Sequence, residues 1–390
     1  MNTPILTKQN LAYQAIFIAL LLVLFSCRKD EVIEEFVPEP YEDSVVVDLE
    51  PTLPEVPYDY ESRIYPDYFL ADPLLSFFNT LDDGNQVTNE GATLGRVLFY
   101  DQQLSANNTI SCASCHLQEY GFSDPNAFSL GFEGGLSGRN SMAIVNINMQ
   151  RRFFWDNRAN SIEQQVLMPI EHPVEMGMNL DSLILKIGTL SYYPDLFVAA
   201  YGDSLIDANR IARALAQFLK SIRSYESKYD QGLANDFADF TALELAGKDL
   251  FFSGEHSCVN CHMTPNFGGV SSHINGLETV YTDQGIGLIT GDDEDMGKFK
   301  TVTLRNIELT PPYMHDGRFE TLEEVLDFYS TEIQPHAYLD DRLSVDFTIG
   351  GVPKDMDLTA DQKAAYIAFM KTLTDWNLIE NPWYSDPFNQ

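Results

Sequence analysis

The feature that most constrains this chain is a five-residue pattern that occurs twice. It reads C-A-S-C-H at residues 112–116 and C-V-N-C-H at residues 258–262. Two thiols three positions apart, followed at once by a histidine, are the attachment signal of a c-type haem. The thiols reach the two vinyl groups of one porphyrin, and the histidine binds the iron from the proximal side. A disulfide or a zinc site uses the same residue types, but the repetition of the whole pattern favours two covalent haem c groups.

The two patterns also indicate the fold. Residues 91–99 and 241–252 have helical periodicity, and each of these segments precedes one copy of the pattern. Residues 203–224 and 359–374 are two further predicted helices, whereas strand signals are short and weak. Thr241 and Glu244 predict a capping box at the start of the segment 241–252. The predicted buried face of 359–374 consists of Ala364, Ile367, Ala368 and Met370. The sequence therefore predicts a mainly α-helical protein of two cytochrome c-like domains, with one covalent haem c in each and few short strands. The haem-binding residues are Cys112, Cys115, His116, Cys258, Cys261 and His262, with His116 and His262 as the iron ligands.

The fifth cysteine, Cys27, follows an apolar run at residues 11–26 that Lys8 precedes. A positive start, an apolar centre and a small residue before the cut are typical of a secretory signal, and the run is short for a membrane span. A cysteine directly after the cut resembles a bacterial lipobox, so residues 1–26 are the predicted signal peptide and Cys27 the lipidated first residue. A plain signal peptide with an incidental cysteine is the alternative.

Export agrees with the haem patterns, because c-type haem is attached outside the cytoplasm in bacteria. We therefore expect the chain on the periplasmic side of a bacterial membrane, in the cell envelope, with the lipid as its only membrane contact. Residues 27–63 are rich in acids and prolines and predict a flexible tether. The remaining predicted parts are an N-terminal haem domain at 64–235, a C-terminal haem domain at 236–378 and a tail at 379–390.

The net charge of −34 at pH 7 bounds the partners of the chain. Nucleic acid is not an expected partner, since so acidic a chain does not neutralise phosphates. A cationic electron-donor protein is electrostatically compatible with this charge, and general solubility explains the charge equally well.

Further motifs lie between and after the two haem patterns. They are FWDNRA at 154–159, PIEHPVEM at 169–176, TLRN at 303–306, PYMHDG at 312–317 and TLEEV at 321–325. Together they resemble the bacterial di-haem cytochrome c peroxidase family, which includes the MauG-type enzymes. The resemblance spans roughly residues 65–378. It implies reduction of hydrogen peroxide to water at the N-terminal haem, with electrons that a donor such as a small cytochrome c delivers near the C-terminal haem.

The resemblance assigns roles to three residues of the first half. Glu175 would be the distal acid and base of the N-terminal haem, Gln165 would lie beside it, and Trp155 would relay electrons between the haems. Judged without the resemblance, Glu175 reads as an ordinary surface acid. A carboxylate in a partly apolar pocket can, however, move a proton between the two oxygens of a peroxide. His172 stands where the family more often has asparagine, so it either tunes the pocket or caps the turn.

The resemblance also implies one calcium ion between the domains, since oxygen ligands suit calcium. The matching positions are the side chain of Asn140 and the carbonyl groups of Thr310 and Pro312. Members of the family often form homodimers, although no residue here indicates a dimer interface.

The loop after the first haem pattern departs from the family. Classical members carry a histidine there that blocks the iron until the other haem is reduced, but residues 117–154 contain no histidine. Phe132 or its neighbours at 131–139 occupy that stretch. We therefore predict an open N-terminal haem that needs no reductive activation. Met142 or Met149 is the alternative sixth ligand.

The expected ligand of the second haem also differs. Classical members use a methionine fourteen residues after the histidine of the P-Y-x-H-D-G motif, and this position here is Tyr329, as in MauG-type enzymes. A phenolate would stabilise ferric iron and lower the potential. The alternative is that Tyr329 packs in a helix and that Met296 or Met314 is the ligand.

Two other functions compete with the peroxidase. One is a MauG-like di-haem oxidase that modifies a partner protein, which Tyr329 and the missing loop histidine favour. The other is a non-catalytic electron-transfer di-haem cytochrome. Glu175 and Gln165 argue against the second, because an electron carrier needs no distal acid.

Overall fold

The structure, a computed structural model, describes residues 50–71, 84–269 and 271–388. The predicted signal peptide, Cys27 and the first part of the predicted tether lie outside these ranges. In the described part of the chain, no helix is both long enough and apolar enough to cross a membrane.

The described residues form mainly helices, as predicted, with one two-stranded antiparallel sheet. The sheet pairs β1 (Ser272–His273) with β2 (Phe299–Lys300). The α-helices are α1 (Asp67–Leu70), α2 (Asn89–Tyr100), α3 (Ile162–Glu171), α4 (Leu180–Ile187), α5 (Tyr193–Tyr201), α6 (Ala208–Ser221), α7 (Lys228–Asn235), α8 (Ala242–Phe252), α9 (Cys258–Cys261), α10 (Gly287–Thr290), α11 (Leu322–Asp327), α12 (Ala360–Lys371) and α13 (Trp376–Ile379). Short 3-10 helices cover Gln102–Leu104, Cys112–Ser114, Gln118–Tyr120, Ile147–Met149, Asp293–Asp295, Ile307–Leu309, Asp341–Leu343 and Pro382–Tyr384, and Phe328–Glu332 is a π-helix.

Side-chain caps set where the predicted helices begin. The side chain of Asp207 accepts the N–H of Arg210 at the start of α6, so this helix begins later than the predicted 203–224. Thr241 and Glu244 cap α8 reciprocally, at 2.6 Å and 3.3 Å. Both arrangements satisfy backbone donors that a helix end leaves free, and the second confirms the predicted capping box.

The buried face of α12 differs from the prediction. The sequence pattern favoured Ala364, Ile367, Ala368 and Met370, but Ala364 is exposed. The buried residues are Ala365, Tyr366, Phe369 and Met370. The cause is a close crossing with α8, because a Cβ added to Gly247 would lie 1.9 Å from the carbonyl oxygen of Ala365. Contact between the two backbones therefore sets the rotation of α12.

The same helix crossing occurs in the first half. A Cβ added to Gly95 of α2 would lie 2.0 Å from the carbonyl oxygen of Ala214 in α6. In each half the glycine allows two helix backbones to touch, and a phenylalanine of the second helix, Phe218 or Phe369, packs beside it. The chain thus builds one helix pair twice, once with each haem pattern.

A second repeated unit comprises residues 142–172 and 302–332. Each copy places an asparagine in the left-handed region before a 3-10 helix, then closes a tight loop with an antiparallel bridge, and then starts a capped helix. The asparagines are Asn146 and Asn306, and the bridges are Phe153–Ala159 and Tyr313–Phe319. Corresponding positions of the two haem sites can therefore be compared directly.

The predicted tail at 379–390 packs against the first half as far as it is described. Tyr384 is buried and donates its hydroxyl hydrogen to the carbonyl oxygen of Ser221 at 2.6 Å. The amide of Gln118, two residues after the first haem pattern, donates to the carbonyl oxygen of Asn381 at 2.9 Å. The end of the chain therefore supports the proximal side of the first haem pattern.

Candidate active site

The first haem pattern presents two thiols and a half-buried histidine. Cys112 and Cys115 are free thiols on either side of one 3-10 turn. Nδ1 of His116 lies 2.9 Å from the carbonyl oxygen of Phe122, and burial lowers the pKa of His116. A neutral ring that donates from Nδ1 keeps its Nε2 lone pair for a metal, which is the usual arrangement of a ligating histidine.

The second pattern repeats this geometry. Nδ1 of His262 lies 3.1 Å from the carbonyl oxygen of Val302 and 3.3 Å from that of Phe267. Burial lowers the pKa of His262 to about 4. Because Nδ1 faces these carbonyl groups, Nε2 is again available. Both histidines therefore have the arrangement that is usual for a ligand of a metal.

A cavity of about 540 Å³ opens over the first pattern. Its lining includes the two thiols and His116, together with the predicted residues Trp155, Gln165 and Glu175. Its volume lies within the roughly 300–1,000 Å³ that cofactor and small-molecule sites occupy. The structure therefore brings the sequence-predicted distal residues and the haem-binding residues into one site.

The side chains of Glu175 and Gln165 line this cavity and differ in their exposure and in their partners. The side chain of Glu175 is 32 % exposed, and Nδ1 of His172 lies 3.4 Å from its Oε1. Oε1 of Gln165 is buried and has no hydrogen-bond partner among the described residues. A buried acceptor without a partner is unusual in a folded protein and is a sign of a missing ligand or water.

Close backbone contacts hold the distal turn at 172–177. The N–H of Phe132 donates to the carbonyl oxygen of Glu175 at 2.9 Å. A Cβ added to Gly131 would lie 1.7 Å from the carbonyl oxygen of Val174, so no larger residue fits there. The ring of Phe132 packs on Gly177 and does not line the cavity, whereas its neighbour Gly131 does.

The two methionines considered as alternative ligands of the first haem lie in different places. Met142 lines the cavity, and its backbone lies beside the ring of His116. Met149 lines a small separate pocket with Met263 and Thr301. Met149 therefore loses support as a sixth ligand, whereas Met142 stays the alternative to an open first haem, which remains a prediction.

Trp155 lies between the cavity and the second half. Its indole N–H donates to the carbonyl oxygen of Asn140 at 2.8 Å. Its ring is 6.4 Å from that of His315, which in turn stacks on Phe299 at 3.8 Å. Trp155 also packs against the apolar cluster that contacts Tyr329. Aromatic rings therefore lead from the wall of the first cavity toward the second haem pattern.

The predicted ligand Tyr329 lies near the second pattern. It lies in the π-helix Phe328–Glu332, a helix type that is frequent at functional sites. Its hydroxyl hydrogen-bonds Asn275 and lies near both thiols of the pattern, and burial raises its pKa above the ordinary value. Sδ of Met314 is 3.9 Å from Nδ2 of the same Asn275, whereas Met296 packs against Gly287. Tyr329 and Met314 therefore remain as candidate ligands, and nothing favours Met296.

Comparison with known proteins shows the family of this chain. Residues 89–238 match the family model of the di-haem cytochrome c peroxidases. Cytochrome c551 peroxidase of Nitrosomonas europaea is 32 % identical over 287 residues, which cover 73 % of this chain and 79 % of that protein. Methylamine utilization protein MauG of Methylorubrum extorquens is 32 % identical over 302 residues, covering 74 % and 79 %. This chain belongs to the di-haem cytochrome c peroxidase family.

Solved structures agree with membership in this family. A MauG-like protein associated with microbial copper homeostasis aligns with a TM-score of 0.70 and 35 % identity, over 79 % of this chain and 95 % of that one. The di-haem peroxidase BthA of Burkholderia thailandensis aligns with a TM-score of 0.63 at 20 % identity, over 77 % and 90 %, which supports the fold alone.

Membership of the di-haem family implies two haem c groups. The residues present fit them, because each pattern offers two free thiols and one histidine whose Nδ1 is already hydrogen-bonded. The partnerless oxygen of Gln165 over the first pattern fits as well, since a bound peroxide or water would supply its donor.

The residues predicted to bind calcium lie on neighbouring loops. Nδ2 of Asn140 donates to the carbonyl oxygen of Asn126 at 3.2 Å. Gly317 contacts both Ala127, the residue after Asn126, and Pro312. A calcium ion that these loops and the carbonyl of Thr310 would share remains a prediction.

Arg139 is a site residue that the sequence did not single out. It joins Asp156 and Asp283 through salt bridges of 2.6 Å each, and all three line the cavity. The arginine thereby ties the two halves of the chain together at the cavity. No local sequence pattern predicts a contact between residues so distant in sequence. Only Asp156, as part of the FWDNRA motif, lay in a segment that the sequence singled out.

The mouth of the cavity is apolar. Leu130, Leu288 and Ile289 line it and are 57 %, 64 % and 52 % exposed. Large apolar side chains grouped at an opening indicate a surface that meets another molecule.

Proposed function

We propose that this protein is a peroxidase that reduces hydrogen peroxide to water with electrons from an external donor such as a small cytochrome c. The observation that carries the proposal is that Glu175 and Gln165 line the same cavity as His116. An electron carrier needs no acid and no partnerless amide on the side opposite its iron ligand. The relatives named as cytochrome c peroxidases support the same activity.

The reaction consumes two electrons and two protons for each peroxide and yields two water molecules. A haem bound at the first pattern would supply the iron centre at which the O–O bond breaks. Glu175 takes the proton of the inner peroxide oxygen and delivers it to the outer oxygen, which then leaves as water. The side-chain amide of Gln165 orients the peroxide or a water molecule through its free oxygen. Trp155 and the rings beyond it carry electrons from the second half.

The test is Glu175→Gln, which keeps the shape of the side chain and removes its acid–base function. We expect peroxide turnover with a reduced small cytochrome c to fall about 10²- to 10⁴-fold, the usual contribution of a general acid or base. Glu171→Gln, at an exposed acid at the end of α3, is the matched control and should turn over normally. Full turnover by the Glu175→Gln protein, with both haems attached, would remove the main support for this function.

A second candidate is a MauG-like oxidase that modifies a partner protein. The exposed apolar residues at the cavity mouth favour it, since hydrogen peroxide itself needs no such surface. Two of the relatives carry the name MauG. A change in mass of a co-isolated protein after peroxide addition, without any reduced cytochrome, would favour the oxidase. Peroxide consumption that requires the reduced cytochrome would favour the peroxidase.

A further inference from the structure

A histidine stands at the outer end of the distal site. Nδ1 of His172 lies 3.4 Å from Oε1 of Glu175, and both residues line the cavity. The side chain of His172 is 45 % exposed, compared with 32 % for Glu175. His172 therefore contacts solvent on one side and the distal carboxylate on the other.

We propose that His172 passes protons between solvent and the carboxylate of Glu175. This inference rests on the proposed peroxidase function, because only net proton uptake at the distal site gives such a path a purpose. His172 acts through Glu175 and does not touch the reacting atoms, so it is a positioning and proton-supplying residue.

The number of protons that the reaction consumes shows why a proton-transferring group besides Glu175 is useful. Glu175 can move one proton from the inner to the outer oxygen and end in its starting state, so this transfer alone brings in no proton. Two protons must nevertheless enter from solvent for each peroxide reduced. Histidine both accepts and donates a proton near neutral pH, and its two ring nitrogens can face different sides. A histidine between the carboxylate and solvent meets this requirement.

The backbone keeps the pair together. His172 follows α3 directly, and its carbonyl oxygen accepts the N–H of Gly177 at 2.9 Å, which closes the turn. The N–H of Met178 donates to the carbonyl oxygen of Ile170 at 2.8 Å. The separation of His172 and Glu175 is thus fixed by the turn.

Cyanide binding to the ferric holoprotein tests the proposal without peroxide or a donor. Hydrogen cyanide loses its proton as it binds ferric iron, so the binding rate depends on proton acceptors at the distal site. We expect His172→Gln to slow the second-order rate about tenfold, at the lower end of the loss typical of residues that act through another. The ferric absorption spectrum should not change, and Glu171→Gln should bind cyanide at the wild-type rate.

A double variant separates this role from a merely structural one. If His172 acts through Glu175, adding His172→Gln to Glu175→Gln should slow cyanide binding no further. Losses that multiply in the double variant would overturn the proposal, as would a wild-type rate in His172→Gln alone. If glutamine alters the ferric spectrum, His172→Asn replaces it under the same criteria, since the family more often has asparagine there.

The same measurements distinguish this proposal from the proposed function. Slow cyanide binding by His172→Gln, in a protein that does not turn over peroxide, would support the proton path and refute the peroxidase. Normal peroxide turnover with unchanged cyanide binding would refute the proton path and leave the peroxidase standing.

Discussion

The two haem patterns of this chain are alike on the proximal side and different on the distal side. His116 and His262 are both half-buried, and each faces a backbone carbonyl with Nδ1. Opposite His116 lies a cavity with Glu175 and Gln165. Near the thiols of the second pattern lies Tyr329, which packs against an apolar cluster. The haems that membership of the family implies would therefore be attached in the same way but would meet different residues.

The two copies of the repeated unit differ at one position that bears on iron binding. In the two copies, residues 142–172 and 302–332, Pro169 of the first corresponds to Tyr329 of the second. Pro169 lines the open cavity. A proline side chain has no group that binds iron, whereas a phenol does. This position of the repeat therefore carries a candidate iron ligand in the second copy and none in the first.

Tyr329→Phe is the strongest way to break this comparison. We expect the second haem to lose its sixth ligand, so that the low-spin signal of the ferric protein disappears and both haems become high-spin by electron paramagnetic resonance. Tyr338→Phe is the matched control, since Tyr338 packs on the same cluster and should leave the spectrum unchanged. A persistent low-spin signal in Tyr329→Phe would point to Met314, and Met314→Leu would then remove it.

Local patterns were sufficient for the parts of the site that local chemistry defines. The haem patterns, the capping box at Thr241 and the helix before each pattern depend on residues within a few positions of one another. The family motifs added Glu175 and Gln165, and the structure places both in the cavity with His116. Spacing alone had left Glu175 as a surface acid.

Contacts between distant parts of the chain could not be predicted in this way. The rotation of α12 depends on Gly247 of another helix, and Tyr384 is buried against residues of the first half. The salt bridge between Arg139 and Asp283 joins the halves and has no signature in either segment. The 3.4 Å separation of His172 from Glu175 required the shape of the turn.

The variant Arg305→Leu compares the two copies by their contribution to the free energy of unfolding. Arg305 corresponds to the buried Val145 of the first copy, but it carries a charge that two hydrogen bonds, of 2.8 Å and 2.9 Å, join to Asp230. Arg305 also donates to the carbonyl oxygen of Pro265. Removing one partner of a buried ion pair costs about 3–5 kcal/mol, because the other charge stays unpaired.

Urea unfolding of the haem-loaded protein should show this loss in Arg305→Leu. The double variant Arg305→Leu/Asp230→Asn should recover part of it, because the carboxylate charge has gone. Equal stability of Arg305→Leu and wild type would mean that the second copy tolerates an apolar residue here as the first copy does.

The smallest expected effect concerns Lys300, which lies two residues before the second copy, as Asn140 lies two residues before the first. Lys300 is buried, and its ammonium group bonds two neutral oxygens, Oε1 of Gln150 and the carbonyl oxygen of Arg152. Burial lowers its pKa to about 7. Because the unfolded chain keeps this proton up to the usual lysine pKa of about 10.4, it binds more protons than the folded chain between these values. Stability should therefore rise as the pH increases from 7 to 9.

Lys300→Met should flatten that rise by about 2 kcal/mol, since each unit of pKa shift corresponds to about 1.4 kcal/mol. Urea unfolding at pH 7, 8 and 9 measures the slope, and Lys371→Met, at a half-exposed lysine, should keep the wild-type slope. Parallel slopes for Lys300→Met and wild type would mean that Lys300 keeps an ordinary pKa despite its burial.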